Sequence, residues 1–171
     1  MLVNLNKEAN GVMTASELGL KVLVVDDHAI TVAGLQTTLE KELQADSEVR
    51  GCHDTASALS EVLTWNPDVV VCDLDFGDGE GGFGLAQNAW EAESDAKFVI
   101  FTGADVTKAA ILGEVRGLVG KNIFAMESKV ESLENLVKIV EDVADGRRSY
   151  DSFTVRVAKK SLPKDEIDSI E

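Results

Sequence analysis

Short segments rich in apolar residues alternate along this chain with segments in which apolar residues recur every three or four positions. Two of the short segments, Val22–Val25 and Val69–Cys72, are unbroken apolar runs that lead into an aspartate. Such runs are typical of strands covered on both faces, as in parallel sheets. The pattern predicts five strands, at Lys21–Asp26, Ser47–Asp54, Asp68–Asp73, Lys97–Thr102 and Asn122–Glu127.

Helical spacing of apolar residues marks the segments between and after these strands. The second helix is expected to stop at Asn66-Pro67, because the residue before a proline disfavours helix. A glycine-rich loop over residues 77–82 precedes the third helix, and Gly146 ends the last one. The first two predicted helices contain Val32–Leu43 and Thr55–Leu63. The third begins at Phe83, the fourth begins at Asp105, and the fifth runs from Leu133 to Val143.

Strands that alternate with helices predict right-handed β–α–β crossovers and one parallel sheet. The regular series covers residues 21–146. We predict a flexible leader at residues 1–20, a folded domain at residues 21–147 and a polar, acidic tail at residues 148–171. Ligands of such sheets bind beyond the carboxyl ends of the strands, so candidate chemistry is sought there.

Composition narrows the class of protein. The chain has 171 residues, 44% of them hydrophobic, which is too apolar for a disordered segment. Its net charge of −15 repels phosphate backbones, so the chain alone is not expected to bind DNA or anionic lipid. No apolar run approaches the ~20 residues of a membrane span. Cys52 and Cys72 lie in strand-like segments and are expected to be free thiols in a reducing cytoplasm.

Charged and polar residues follow several of the predicted strands. Asp26-Asp27 and Asp73 would bring three carboxylates together, and a few carboxylates with water are the partial shell that Mg²⁺ prefers. Thr102 and Lys129 would offer hydrogen-bond donors to phosphoryl oxygens on the other side. The set predicts a site for phosphoryl transfer, in which Asp73, after a central strand, is the nucleophile.

Each of these residues also has an ordinary structural explanation. Acids before a helix, such as Asp26-Asp27, often cap it, and a lone aspartate after a strand is often a turn residue. Thr102 fits a strand, and Lys129 fits a surface. The joint position of all four at strand ends favours the functional interpretation.

The order of these motifs resembles bacterial response-regulator receiver domains, and more closely those of LuxR-type transcriptional regulators. The resemblance implies a flavodoxin-like (βα)₅ three-layer sandwich, an α/β fold whose five-stranded parallel sheet has the order 2-1-3-4-5. It implies no enzyme activity beyond gaining and losing the protein's own phosphoryl group. The matching segments are Val22–His28, Pro67–Leu74, Phe101–Gly103, and Lys129 with the helix that ends at Gly146.

The resemblance implies a role for each acid of the site. Asp73 matches the aspartate that a cognate histidine kinase phosphorylates, and it shares the metal ion, Mg²⁺ or Mn²⁺. Asp27 matches the direct metal ligand and Asp26 the acid that acts mostly through water. Asp75 matches the position whose backbone carbonyl binds the metal.

The remaining roles concern the phosphoryl group and the output. Thr102 resembles the hydroxyl that turns toward the phosphoryl group, Gly103 the small residue that leaves room for it, and Lys129 the lysine that pairs with its oxygens. The family implies dimers through receiver helices and contact with DNA only through a C-terminal domain that this chain lacks. It implies a cytoplasmic protein with no membrane partner.

Several positions depart from the family pattern. Gly77 stands where the family usually has proline, and Asp75 is expected to alter the lifetime of the phosphoryl group. Met126 stands where an aromatic residue is favoured, and Phe124, two residues away, is expected on the same strand face. The segment from Thr102 to Lys129 is a few residues longer than usual.

The departures keep other hypotheses open. One is a degenerate receiver that acts as an interaction module without phosphorylation. A second is a small α/β enzyme, either a flavin carrier or a phosphatase using Asp73 and Asp75, although Asp26-Asp27-His28 has the wrong charge for a phosphate-binding loop. The segment Leu162–Glu171 resembles the start of a DNA-binding domain, which favours a shortened transcription factor over a natural receiver-only protein.

Overall fold

The computed structural model describes residues 12–77, 81–103, 121–129 and 133–150. The predicted helix at Asp105, the first eleven residues and the segment 151–171 lie outside the described residues. Short 3₁₀ turns span Ala15–Leu18 and Leu133–Asn135. The strands are β1 (Lys21–Val25), β2 (Glu48–Cys52), β3 (Val69–Cys72), β4 (Lys97–Thr102), β5 (Ile123–Ser128) and β6 (Ser149–Tyr150), and the helices are α1 (Ala29–Glu42), α2 (Thr55–Trp65), α3 (Gly81–Glu91) and α4 (Leu136–Ala144).

The strands form one parallel sheet with the order β2-β1-β3-β4-β5-β6. The predicted order 2-1-3-4-5 of the five main strands is therefore confirmed. The sixth strand, β6, was not predicted, because its two residues show no apolar run; it pairs with β5 through Ala125 and Met126. The sheet thus extends to Tyr150, three residues beyond the predicted end of the domain.

Apolar residues on the two faces of the sheet form two separate core clusters. Leu23, Val25 and Val70 point into the cluster that includes residues of α2 and α3. Val22, Val24 and Val71 point into the other cluster, which includes residues of α1 and α4. Strands buried on both faces explain why the sequence shows unbroken rather than alternating runs, and the three layers match the predicted sandwich.

The helix ends follow from local chemistry. Asp54 caps α2, because its Oδ1 accepts a hydrogen bond from the backbone N–H of Ser57 at 2.7 Å. The helix ends where predicted, with Asn66 in the left-handed region at φ 53°. Gly146, at φ 85°, follows α4 and donates its N–H to the carbonyl of Val143.

Helix α3 begins at Gly81, two residues before the predicted start at Phe83, so Gly81 and Gly82 belong to the helix rather than to the loop. Gly81 has a φ of 65°, and a Cβ at Gly82 would lie 2.2 Å from the backbone oxygen of Asp73. The N–H of Gly82 donates to the carbonyl of Leu74 at 3.0 Å. The two glycines therefore let the start of α3 lie directly against the end of β3.

Strand β5 contains an irregularity that changes which way its side chains point. Phe98 of β4 is aligned with Ile123, but the next residue, Val99, is aligned with Ala125, so Phe124 is an extra residue in β5. Such a bulge breaks the alternation of faces. Phe124 consequently packs on the cluster under α1 and α4, whereas Met126 lies in the opposite cluster. The expectation that the two residues share a face is wrong.

The described part of the predicted leader is attached to the domain. Ser16, in the first 3₁₀ turn, donates from its N–H and its hydroxyl to the two carboxylate oxygens of Asp145, at 3.0 and 2.8 Å. Leu20 is buried. Residues 15–20 therefore differ from the expected loose leader, because they bury apolar surface and pair with the end of α4. In the part of the chain that the structure describes, no helix has the length and apolar character needed to cross a bilayer.

Candidate functional site

The carboxyl ends of β1, β3 and β4 meet at one edge of the sheet, as parallel pairing requires. The N–H of Asp73 donates to the carbonyl of Val25 at 3.0 Å, and the N–H of Asp26 donates to the carbonyl of Cys52 at 3.2 Å. These bonds continue the sheet pairing one residue past the strands. They bring Asp26 and Asp73, 47 positions apart in the sequence, side by side.

Lys129 joins these two aspartates. Its ammonium donates to Asp26 Oδ2 at 2.5 Å and to Asp73 Oδ2 at 2.8 Å. The side chains of Asp26 and Asp73 are only 1% and 12% exposed, and that of Lys129 is 23% exposed. Charges so little hydrated are stable only when they are paired, which makes the lysine a structural requirement of the carboxylate pair.

The second oxygen of Asp73 is also occupied. Its Oδ1 accepts the hydroxyl hydrogen of Thr102 at 2.7 Å and the backbone N–H of Leu74 at 2.6 Å. Thr102 is the last residue of β4 and is itself buried. Four of the predicted site residues therefore form one hydrogen-bonded network: Asp26, Asp73, Thr102 and Lys129.

The charge state of Lys129 follows from this network. Burial alone would lower the pKa of the ammonium, but hydrogen bonds from it to Asp26 and Asp73, and their negative charges, outweigh that effect. The net result is a pKa above the ordinary value of 10.5. Lys129 is therefore a permanent cation at the centre of the site.

A second group of ligand atoms lies on the solvent side. One atom each from Asp26, Asp27 and His28 lies within 4.8 Å of the others. The ring Nδ1 of His28 is 3.1 Å from Asp26 Oδ1 and 2.8 Å from Asp27 Oδ1. The hydrogen bond to Asp26 and the charges of both carboxylates raise the pKa of His28 above 6.5.

The acidic residues are of the type that a hard divalent cation prefers, and the ligand atoms that lie within 4.8 Å of one another belong to Asp26, Asp27 and His28. Asp26, Asp27 and Asp73 supply three carboxylates, whereas Lys129 supplies one positive charge. Asp27 is the most accessible, with a side chain 33% exposed, and its Oδ2 accepts the N–H of Gly77 at 3.2 Å. Excess negative charge with one solvent-facing carboxylate suits Mg²⁺ or Mn²⁺, which keep several water ligands.

The predicted residues Asp75 and Gly103 lie at the periphery. Asp75 is exposed two residues past Asp73. Gly103 is exposed as well, and a Cβ built on it would meet none of the described atoms within 4 Å. The lack of a described neighbour is compatible with the room that the resemblance implies at Gly103, and the roles of both residues remain predictions.

Helix capping does not account for Asp26 and Asp27. Helix α1 begins at Ala29, so its capping residue is His28, and among the described atoms the His28 side chain forms no capping hydrogen bond. Asp26 Oδ1 accepts the N–H of His28 itself at 2.9 Å, which fixes the loop rather than the first turn of the helix. The carboxylates are therefore directed toward the site.

Two features of the site were missed from the sequence. The His28 ring bridges the acid pair, and its place directly after the two aspartates is the only signal in the sequence. Gly82 lets the start of α3 pack against the end of β3, because a Cβ at this position would lie only 2.2 Å from the backbone oxygen of Asp73. The double glycine at positions 81 and 82 is the signal there, although glycines in such a run are typical of a loop.

Comparisons with known proteins agree with this geometry. A family model described as "Response regulator receiver domain" matches residues 22–141. The chain is 32% identical over 136 residues to the DNA-binding transcriptional activator DevR/DosR of Mycobacterium tuberculosis, covering 78% of this chain and 58% of that protein. It is 33% identical over 87 residues to the oxygen regulatory protein NreC of Staphylococcus epidermidis, covering 50% of this chain and 39% of that protein.

A solved structure shows the same fold. The two-component response regulator of the LuxR family from Aurantimonas sp. SI85-9A1 superposes with a TM-score of 0.70 at 22% identity, covering 83% of this chain and 96% of that one. This chain belongs to the response regulator receiver domain family. It spans little more than half the length of DevR/DosR and about two fifths of NreC. It is thus a receiver domain of a two-component regulator, with an acidic pocket and a central lysine.

Proposed function

We propose that this domain accepts a phosphoryl group on Asp73 from a cognate histidine kinase, and that the modification changes its conformation. The observation that carries the proposal is the network in which Asp73 Oδ2 accepts from Lys129 and Asp73 Oδ1 accepts from Thr102. The network holds a carboxylate at the end of a central strand, with donors already placed around it.

The reaction follows from these contacts. A carboxylate oxygen of Asp73 attacks phosphorus, a P–O bond forms, and the P–N bond to the donor imidazole breaks with its electron pair returning to that ring. Mg²⁺ or Mn²⁺, held by Asp26, Asp27, Asp73 and the backbone carbonyl of Asp75, would neutralise phosphoryl oxygens.

The side chains around Asp73 would supply the remaining stabilisation of the phosphoryl oxygens. Lys129 provides a permanent positive charge to a phosphoryl oxygen, and the Thr102 hydroxyl donates to another. Gly103 would leave room for the group, since a Cβ there would meet none of the described atoms within 4 Å.

Phosphorylation by a small donor tests the proposal. Incubation with Mg²⁺ and acetyl phosphate is expected to add one phosphoryl group, detected by intact mass, and Asp73→Ala is expected to abolish the adduct. Asp68→Ala is the matched control, because Asp68 precedes the same strand at its opposite end and accepts the N–H of Lys21. Absence of an adduct in the unaltered protein, with beryllofluoride leaving its spectrum unchanged, would refute the proposal.

The wider setting is proposed on the family relationship. The protein would act in the cytoplasm, dimerise through receiver helices and control transcription through a DNA-binding domain that follows this segment. The proposed limits are residues 21–147 for the receiver and 148–171 for the linker toward that domain, and this linker begins with the strand β6 paired to β5.

The burial of Met126 in the core favours one alternative, a phosphorylation-independent interaction module, because no aromatic ring stands at that position to report the state of Thr102. Such a module would give no adduct at Asp73 in the same experiment.

A further inference from the structure

Arg148 clamps the segment that leaves α4 onto the bulge of β5. Its guanidinium donates from Nη1 to the carbonyl of Ile123 at 2.8 Å and from Nη2 to the carbonyl of Lys121 at 3.1 Å. Its Cζ lies 4.0 Å from the centroid of the Phe124 ring. Phe124 is the extra residue of the bulge, so Arg148 binds the backbone and the ring where pairing between β4 and β5 is interrupted.

The exit segment, which we define as residues 145–150, is held at its start by the end of α4, where the N–H of Arg147 donates to the carbonyl of Asp142 and its guanidinium pairs with Asp142 and Asp145. Asp145 at its start pairs with Ser16, and Ser149 and Tyr150 at its end form the two-residue strand β6. A parallel pairing of two residues contributes little by itself. Arg148 therefore anchors the segment to β5 beside this two-residue pairing, and such short elements open at low free-energy cost.

Strand β5 connects this clamp to the phosphorylation site. Met126 is aligned with Ile100 of β4 on one side and with Tyr150 of β6 on the other. Lys129 directly follows the last residue of β5 and is held by Asp26 and Asp73. A displacement of Lys129 therefore acts on the same strand that receives the exit segment.

We propose that the exit segment is a switch element, docked on β5 by Arg148 while Asp73 is unmodified and released when Asp73 carries a phosphoryl group. This inference rests on the proposed function. A phosphoryl group carries about −1.5 to −2 charges in place of the single charge of the Asp73 carboxylate, and it recruits Lys129 away from Asp26 Oδ2. The movement of Lys129 displaces the end of β5, and the register of β5 against β4 can shift at the bulge. Such a shift displaces the carbonyls of Lys121 and Ile123 from Arg148.

Hydrogen exchange with Mg²⁺, with and without beryllofluoride, tests the switch on the full chain. Peptides covering residues 145–150 are expected to exchange about tenfold faster with beryllofluoride, whereas a reference peptide from β1 is unchanged. Arg148→Gln is expected to give the fast exchange without beryllofluoride and to respond little to its addition. Arg147→Gln is the matched control, because that guanidinium pairs with Asp142 and Asp145 rather than with β5.

The outcomes separate this inference from the proposed function. An adduct at Asp73 by mass, together with exchange of residues 145–150 that does not change, would overturn the switch and leave phosphorylation standing. Equal exchange in Arg148→Gln and in the unaltered protein would overturn the clamp whether or not Asp73 is modified. Failure to form any adduct or beryllofluoride complex would remove both proposals.

Discussion

Gly82 provides the sharpest test of how α3 is placed against the end of β3. In Gly82→Ala, the new Cβ would lie 2.2 Å from the backbone oxygen of Asp73, about 0.8 Å inside the 3.0 Å that Cβ atoms keep from their neighbours. It would also lie 3.1 Å from Cys72 Sγ. Because the closest atom is backbone at the end of a central strand, relief requires moving α3 or β3.

The magnitude follows from two opposing effects. Overpacking of this kind costs about 1–3 kcal/mol, and a rigid backbone neighbour favours the upper end of that range. Replacing a helical glycine by alanine returns at most about 1 kcal/mol. We therefore expect Gly82→Ala to lower the free energy of unfolding by about 2 kcal/mol and to reduce phosphorylation of Asp73, since the alanine displaces that residue's own carbonyl.

Urea denaturation followed by circular dichroism measures the effect. Gly34→Ala is the control, because Gly34 is exposed in α1 and a Cβ there meets none of the described atoms within 4 Å. That variant is expected to gain about 0.5–1 kcal/mol. If Gly82→Ala proves as stable as the unaltered protein while Gly34→Ala shows its gain, the close approach of α3 to Asp73 is wrong.

Three other measurements follow from the site. Lys129→Met is expected to lower the free energy of unfolding in urea by about 3 kcal/mol, because two buried carboxylates lose their cation, and millimolar Mg²⁺ should restore part of the loss. Since the pKa of Lys129 is raised, the extra stability of the unaltered protein over Lys129→Met is complete below about pH 10.5 and is lost as the pH rises through that raised pKa. A difference in the free energy of unfolding that stays unchanged at higher pH would contradict the pairing. In an NMR titration without metal, the pKa of His28 should exceed 6.5, and Asp27→Asn should reduce it. Burial raises the pKa of Cys52 to about 11 and that of Cys72 further, so neither thiol should react with a disulfide reagent at pH 8 unless the protein unfolds.

The main strands could be predicted from the sequence because burial on both faces leaves a signal that does not depend on partners. Val69–Cys72 is apolar at every position, and each of its residues is buried. The bulge could not be predicted, because Phe124 is extra only relative to β4, and no local pattern records the register between two strands. Strand β6 could not be predicted either. The segment is held in place by Arg148, which binds carbonyls more than twenty residues earlier in the chain, and no local pattern reports such a contact.

The central hydrogen-bonded network could be predicted from the sequence for a general reason. In a parallel sheet, the residues after neighbouring strands must meet, so Asp26, Asp73 and Thr102 were expected to lie close together, and the structure brings them together. Which carboxylate oxygens Lys129 approaches depends on the backbone position directly after β5. The close approach of Gly82 to the Asp73 carbonyl depends on where α3 starts. Both are set by backbone positions that the sequence specifies only through the finished fold.

The parallel direction of β6 has a practical consequence for anyone who attaches a reporter to this domain. Because β6 runs alongside β5 in the same direction, Tyr150 lies closer than Ser149 to the rim where Asp73 lies. The turn at Ala15–Leu18, by contrast, is tied to Asp145 just after α4, at the opposite rim. A fluorescent protein fused behind residue 150 would crowd the entrance for a phosphodonor, whereas one fused in front of the turn would leave it clear.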